Sequence, residues 1–477
     1  MLQEDWEVIS TEIANKATPE DVSKYYHEIA AQQKADLEGP ARVVVARDTR
    51  ASGSRLLGCL LDGLKATGAE VKEYGFLTTP QLHYMVRCLN TEGTKDAYGT
   101  PTEKGYYEKF GTAFKTALKG KKPAGSLTVD CANGVGGPKL TELIKHLPPK
   151  EEGLEIFVIN DNVIKPESLN VDVRLTFFPS WLDKEKANHV QCGADFVKTN
   201  QRAPPSSKAG PGDRCASLDG DADRVVYYFK DSSNVFRLLD GDRIATLAAN
   251  FLGELVSKAG LAEKITIGVV QTAYANGASS KYVAQVLDLK SEFTPTGVKH
   301  LHHAATRYDI GVYFEANGHG TILFSNKALN TIWSKEPESP AQLENLEVLR
   351  AATELINQTV GDAISDFLLV EAILAHKEYT VKEWITTYND KPNKLAKQVV
   401  KHRDEYKTVP GTAEQKLASP AGLQEKIDAE VAKYRDGRCF VRASGTEDAV
   451  RVYCEAAEVL EVENMVQSVS QLVQSQS

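Results

Sequence analysis

Short apolar runs that lead into a polar or glycine-rich loop and then a helix-period stretch recur along this chain. That recurrence limits the open folds more than any other feature. Residues 41–46, Ala-Arg-Val-Val-Val-Ala, suit a buried strand. They run into Arg47-Asp48-Thr49-Arg50 and then a periodic set, Leu56, Leu57, Leu60, Leu61 and Leu64. Gly68 ends that helix, and 71–76 reads as another strand. The pattern returns at 127–130, before the flexible loop 131–137, and at 265–270, before Gln271-Thr272-Ala273-Tyr274-Ala275-Asn276-Gly277. Such alternation predicts an α/β fold with parallel or mixed sheets. The three units share a build but little identity, so an internal repeat is an expectation for the structure to test. Residues 3–37 read as mostly helical and 329–359 as helices. Near the end, 439–442 and 450–454 read as strands, followed by Val462, Val466, Val469 and Val473 at helical spacing, a small α+β domain.

At 477 residues the chain exceeds what one core holds, and three or four domains are expected. With 56 Lys and Arg against 65 Asp and Glu, the formal charge is −9, which argues against a coat for nucleic acid or anionic membrane. No apolar run approaches the ~20 residues of a membrane span, and the acidic start lacks the pattern of a signal peptide. A cytoplasmic location is expected. The seven cysteines, Cys59, Cys88, Cys131, Cys192, Cys215, Cys439 and Cys454, include no CxxC pair and read as reduced thiols.

Four loops carry chemistry. In Asp219-Gly220-Asp221-Ala222-Asp223-Arg224, three carboxylates at alternate positions repel and call for a cation. All-oxygen ligands suit Mg²⁺, whereas the glycine position and Lys230 at the twelfth place exclude an EF-hand. A solvated acidic turn is the plain alternative. A second acidic turn, Asp240-Gly241-Asp242, reads as a hairpin end or helix cap. Arg442-Ala443-Ser444-Gly445-Thr446-Glu447, with Arg451 beyond, offers hydroxyls, backbone N–H groups and two guanidinium forks to an anion. Thr296-Gly297-Val298-Lys299-His300, followed by His302 and His303, reads as the basic lining of an anionic pocket rather than as zinc ligands, since the spacing does not converge on one helical face. Glu315-Ala316-Asn317-Gly318-His319 follows an apolar strand and can hydrogen-bond hydroxyls and amides. A cation site, a phosphate cradle, a basic loop and a hydroxyl-reading loop together describe an enzyme of phosphorylated sugars.

The ordered set of these four loops resembles the α-D-phosphohexomutase superfamily. Cys192-Gly193-Ala194-Asp195-Phe196-Val197-Lys198 and the 271–277 run are similar to the phosphoacetylglucosamine mutases within it. The resemblance runs from about Trp6 to the C-terminal helix. It implies three related mixed-sheet α/β domains, the first incomplete, plus a small C-terminal α+β domain, divided as 1–95, 96–240, 241–388 and 389–477. It also implies interconversion of N-acetylglucosamine 6-phosphate and 1-phosphate through a bisphosphate, in UDP-N-acetylglucosamine biosynthesis. By that resemblance Asp219, Asp221 and Asp223 hold Mg²⁺, and Arg224 stands beside the phosphoryl group. Arg47 and Arg50 match a basic loop, and Lys299 and His300 line the cleft. Glu315, Asn317 and His319 meet the sugar, while Arg442, Ser444, Gly445, Thr446 and Arg451 hold the non-reacting phosphate. The implied partner is a small N-acetylhexosamine phosphate bound by a monomer, with no nucleic acid or membrane. The alternatives are a non-catalytic sugar-phosphate-binding relative and a mutase for unmodified hexose phosphates.

Three departures stand out. The superfamily's phosphoserine lies in a Thr-Ala-Ser-His-Asn-Pro loop, and this sequence contains no Ser-His pair. The expectation is that the chain starts after that loop and turns over little. Residues 173–191 intervene where the family runs directly into Cys192. They open with Val and close with Gln, so their codons allow GT…AG borders, which predicts a translated short intron or else a surface insertion. Ala443 stands where proline is common, which costs loop rigidity but no donor.

Overall fold

The computed structural model describes residues 12–13, 15–16, 18–32, 39, 41–164, 168–170, 191–445 and 448–476. Two compact units divide the chain, one of Met1–Ala46 with Ser54–Gly75 and one of Arg47–Gly53 with Phe76–Ser477. The first holds α1 (Pro19–Gln32), the paired strands β1 (Arg42–Arg47) and β2 (Glu70–Phe76), and α2 (Gly53–Ala66). The leucine periodicity does make a helix of α2, but none of its residues is buried, and Leu56 and Leu60 are 55% and 48% exposed. A two-stranded sheet offers too little surface to cover an amphipathic face.

In the second unit α3 (Thr79–Thr91) and α4 (Glu103–Leu118) precede β3 (Ser126–Asp130), α5 (Gly136–Ile144), β4 (Glu155–Ile159) and α6 (Ala194–Asn200). Then come β5 (Arg214–Leu218), β6 (Val225–Lys230), β7 (Phe236–Leu239), α7 (Gly241–Lys258), β8 (Ile267–Thr272), α8 (Gly277–Gln285), β9 (Lys290–Thr294), α9 (Val298–Ala305), β10 (Ile310–Phe314) and β11 (Gly320–Phe324). The helices α10 (Asn326–Ser334), α11 (Pro340–Leu355), α12 (Ala363–Lys377) and α13 (Val381–Ile385) follow. The chain closes with β12 (Asn393–Val399), α14 (Leu423–Val431), β13 (Arg438–Ala443), β14 (Ala449–Glu455) and α15 (Val459–Gln474).

Of the three suspected units, two share a sheet order, while the one at 41–76 pairs only two strands. One sheet has the order β4-β3-β5-β6-β7 and another the order β9-β8-β10-β11. In each, two parallel pairings about a central strand lead to an antiparallel hairpin, β5–β6 or β10–β11. Buried parallel strands explain the uninterrupted apolar runs. The third sheet, β12-β14-β13, is antiparallel, and α14 and α15 cover its one face, with Val462, Val466, Val469 and Val473 in that core.

Between the layers α12 is buried on every side from Ala363 to Ala375. Its two interior acids are handled differently. Glu371 pairs with Arg214 at 2.8 Å and accepts from the Tyr227 hydroxyl at 3.1 Å. Asp366, 1% exposed, has no hydrogen-bond partner for either carboxylate oxygen among the described residues. No described helix is long and apolar enough to cross a membrane. All seven cysteines are free thiols, six of them buried.

Of the stretch 173–191 only Gln191 lies among the described residues. The chain on either side nevertheless meets: the Asn170 carbonyl accepts from Gln191 N–H at 2.7 Å and from Cys192 N–H at 3.2 Å.

Candidate active site

Three hairpin turns, one from each sheet of the second unit, carry three of the four site loops. The β5–β6 turn holds the acidic cluster. Asp219 Oδ1 accepts the N–H groups of Asp223 and Arg224, at 3.0 and 3.1 Å, which folds the loop back on itself. One oxygen from each of Asp219, Asp221 and Asp223 lies within 4.8 Å of the others. Burial, and then the charges of Asp223 and Asp221, push the Asp219 carboxyl well above the usual carboxylate range. Burial also raises Asp221, but hydrogen bonds from Thr79 (2.6 Å) and Asp219, together with Arg50 at 3.6 Å, outweigh it and hold that group low. Asp223 Oδ1 is buried without a hydrogen-bond partner among the described residues. Crowded carboxylates with an orphaned oxygen fit a hard divalent cation with oxygen ligands.

Arg224 makes paired contacts to Asp195, at 3.1 and 3.2 Å, with Nε 3.6 Å from Asp223. Burial lowers its basicity, but Asp195, Asp219 and Asp223 more than restore it, so it stays cationic. Of the basic loop, Arg50 reaches the acidic cluster. Arg47 stacks its guanidinium over the Phe76 ring at 4.0 Å, so its observed partner is an aromatic face rather than the cluster.

The β10–β11 turn holds Glu315, Asn317 and His319. Gly318 N–H donates to Glu315 O and Glu315 N–H to His319 O, both at 2.8 Å, making a tight reversal. Asn317 Nδ2 reaches Glu315 Oε2 at 3.3 Å. This turn is welded to the metal loop: Arg224 and His319 form a β-bridge, and Val225 N–H donates to Gly318 O at 3.2 Å. A Cβ on Gly318 would stand 2.0 Å from the Val225 carbonyl, and its φ is +89°, so only glycine allows this approach. His319, expected to meet substrate, is 9% exposed, with Nδ1 3.6 Å from Asp223 Oδ2. Asn317, in the same turn, is half-buried.

At the end of β9, Gly297 N–H donates to Glu315 Oε1 at 3.1 Å, and α9 begins with Lys299 exposed and His300 half-buried. The histidines do not converge: His302 turns inward onto the Tyr313 hydroxyl at 3.0 Å, and His303 is exposed. The Asp219, Asp221 and Asp223 group is the one metal-competent cluster among the described residues. The second acidic turn is a helix cap, with the Asp240 carboxylate accepting from Asp242 N–H at 3.1 Å.

The β13–β14 turn holds the anion cradle. Arg442 and Arg451 are directly opposite in the β13–β14 register, and Lys397 is opposite Arg451 on β12. Three cations therefore stand in one row across the sheet, on one face. Like charges directly opposite destabilise a sheet unless an anion joins them. Ser444 is buried and donates its N–H to Ala449 O at 2.8 Å, and its own carbonyl accepts from Arg403 at 3.3 Å. Gly445 is exposed at the tip, while Thr446 lies outside the described residues.

Comparison with known proteins agrees with this geometry. Residues 9–94 match phosphoglucomutase/phosphomannomutase alpha/beta/alpha domain I, 240–379 match phosphoacetylglucosamine mutase AMG1 domain III, and 395–472 match the phosphoglucomutase/phosphomannomutase C-terminal domain. Phosphoacetylglucosamine mutase 2 of Schizosaccharomyces pombe is 46% identical over 98% of this chain and 82% of its own length. The chain belongs to the phosphoacetylglucosamine mutase family. The human phosphoacetylglucosamine mutase is 43% identical over 98% of this chain and 82% of its own. A crystal structure of Aspergillus fumigatus N-acetylphosphoglucosamine mutase in complex with GlcNAc-6P and magnesium superposes with a TM-score of 0.85 at 58% identity, covering 98% of this chain and 88% of that one.

Several residues of this family member were missed in the sequence. Lys397 sits in an exposed, polar strand and gains meaning only from register. Asp195 lay inside a recognised run, but its contact with Arg224 spans 29 positions. Thr79, which reaches Asp221 across 142 positions, and Arg403 carried no local signal.

Proposed function

We propose that this chain interconverts N-acetylglucosamine 6-phosphate and N-acetylglucosamine 1-phosphate, as an intramolecular phosphotransferase of amino-sugar metabolism that uses Mg²⁺. The observation that carries the reading is the juxtaposition of hairpin turns: the carboxylate cluster bridged to the sugar loop through Arg224 and His319, and the cation row across the third sheet. Asp219, Asp221 and Asp223 would hold the metal. Bound Mg²⁺ offsets the charge of a phosphoryl group in transfer. Arg224 presents a guanidinium beside that position. Glu315 and Asn317 hydrogen-bond the sugar, and Lys299 and His300 line the approach. Arg442 and Arg451, with Ser444, Gly445 and Thr446, hold the phosphate that does not react, and Lys397 adds a third cation. His319 orients Asp223.

Relatives named as mutases favour catalysis over a binding-only role. The reading keeps the four-part division 1–95, 96–240, 241–388 and 389–477, a monomeric state and a cytoplasmic location.

Titration calorimetry tests it. N-acetylglucosamine 6-phosphate should bind more tightly than glucose 6-phosphate when Mg²⁺ is present. Equal affinity would remove the N-acetyl preference, and no binding of either would remove the function.

A further inference from the structure

Glu414 lies in none of the four loops, yet it joins two of them. Its Oε2 accepts the Thr296 N–H at 2.9 Å and stands 3.2 Å from Arg442 Nε. The contact to Arg442 lacks hydrogen-bond geometry, so it acts as an ion pair. The next backbone N–H, that of Gly297, donates to the sugar-loop Glu315 at 3.1 Å. Two consecutive amides of one loop therefore hold two carboxylates, one facing the phosphate cradle and one facing the sugar. The chain runs Arg442–Glu414–Thr296–Gly297–Glu315–Asn317 without a gap.

The loop that delivers Glu414 is closed by the Thr408–Leu417 bridge and the Val409 N–H to Lys416 O bond. Both Ala413 and Glu414 adopt left-handed φ, at +49° and +63°. Non-glycine residues keep such a conformation when their surroundings require it. Both Arg442 and Glu414 are about one-fifth exposed, 19% and 20%, so their charges interact more strongly than a surface pair while remaining open to a ligand.

We infer that Glu414 is a positioning residue that couples phosphate binding at Arg442 to sugar binding at Glu315. It aims the guanidinium and ties the cradle to the 296–297 loop. Alone it also competes, as an anion, with any phosphate at Arg442. The inference rests on the sugar-phosphate reading of the site.

That dual role gives a signature that simple damage to the loop would not. Binding of N-acetylglucosamine 6-phosphate and of inorganic phosphate is measured on the full chain by calorimetry, with melting temperatures alongside. Glu414→Ala should weaken the sugar phosphate about tenfold, while inorganic phosphate binds equally well or more tightly. Glu414→Gln keeps an oxygen for the Thr296 N–H and should restore the sugar phosphate to within about threefold of the unsubstituted chain. Parallel weakening of both ligands, or no change in either, overturns the inference and leaves the proposed function standing. Failure of the unsubstituted chain to bind N-acetylglucosamine 6-phosphate overturns both.

Discussion

Gly241→Ala separates a packing contact from helix propensity by the sign of its effect. Gly241 opens α7, and an added Cβ would lie 1.8 Å from the Glu315 carbonyl oxygen and 3.2 Å from Gly318 N. Ordinary contact begins at 3.4 Å, so 3.4 − 1.8 = 1.6 Å of backbone movement is required, against main-chain atoms that cannot rotate away. Overpacking of this kind costs about 1–3 kcal/mol. Alanine in a helix otherwise stabilises by roughly 0.5–1 kcal/mol relative to glycine, so the packing account predicts a net loss. Movement of Glu315 also displaces the acceptor of Gly297 N–H and the partner of Asn317. Misplacement on the scale of 1 Å can cost on the order of 100-fold in a positioned site. Thermal unfolding and calorimetry on one sample should show a lower melting temperature and sugar-phosphate affinity reduced about 10- to 100-fold. Inorganic phosphate affinity should fall less, because the cation row is on another sheet and meets Glu315 only through Gly297, Thr296 and Glu414. A variant more stable than its parent would refute the contact, and one that is less stable but binds the sugar phosphate unchanged would refute the role of Glu315.

Burial, reinforced by Asp362, holds the Asp366 carboxyl well above the usual range, so the folded chain keeps a proton that the unfolded chain releases above ~3.9. Stability is therefore lost as pH rises from there through the folded value, by about 1.4 kcal/mol per pH unit. Asp366→Asn should melt higher than its parent near pH 8 and lose that advantage near pH 4, and a pH-independent difference would contradict this. Deleting 173–191 shortens the connection between Asn170 and Cys192 from 21 residues to 2 and turns the Cys192 N–H to Asn170 O bond into an ordinary β-turn. The deleted chain should fold with equal stability or a gain of up to about 2 kcal/mol, and loss of cooperative unfolding would argue that the stretch is packed. At 100 times its dissociation constant, Mg²⁺ should stabilise the chain by about 2.7 kcal/mol. Asp221→Asn should abolish most of that increment, and an undiminished shift would place the metal elsewhere.

Much of the site was legible because each loop is a contiguous run, three of them at hairpin turns. Repulsion among Asp219, Asp221 and Asp223 follows from spacing alone, and so does the donor content of the 442–447 run. What escaped depends on tertiary register. Lys397 looked like one of many surface lysines until β12 paired it with Arg451. Glu414 is one carboxylate in a polar loop until its contact with Thr296, 118 positions away, is seen. Arg47 and Arg50 are equivalent in sequence, yet Phe76 takes one guanidinium and Asp221 the other. His319 belonged to a loop of hydroxyl readers, yet its ring nitrogen lies 3.6 Å from Asp223, a contact that only the meeting of two turns reveals. The fold class followed from alternation of strands and helices. The identical order of β4-β3-β5-β6 and β9-β8-β10-β11 could not be read from units that share so little sequence.

Phosphorus NMR of N-acetylglucosamine 6-phosphate with the 477-residue chain reads binding and turnover together. The expected result is a Mg²⁺-dependent shift or broadening of the 6-phosphate signal and the growth of a 1-phosphate signal as the two interconvert. Phosphorus signals unmoved by the chain would contradict the site, and binding without any 1-phosphate formed would contradict the interconversion.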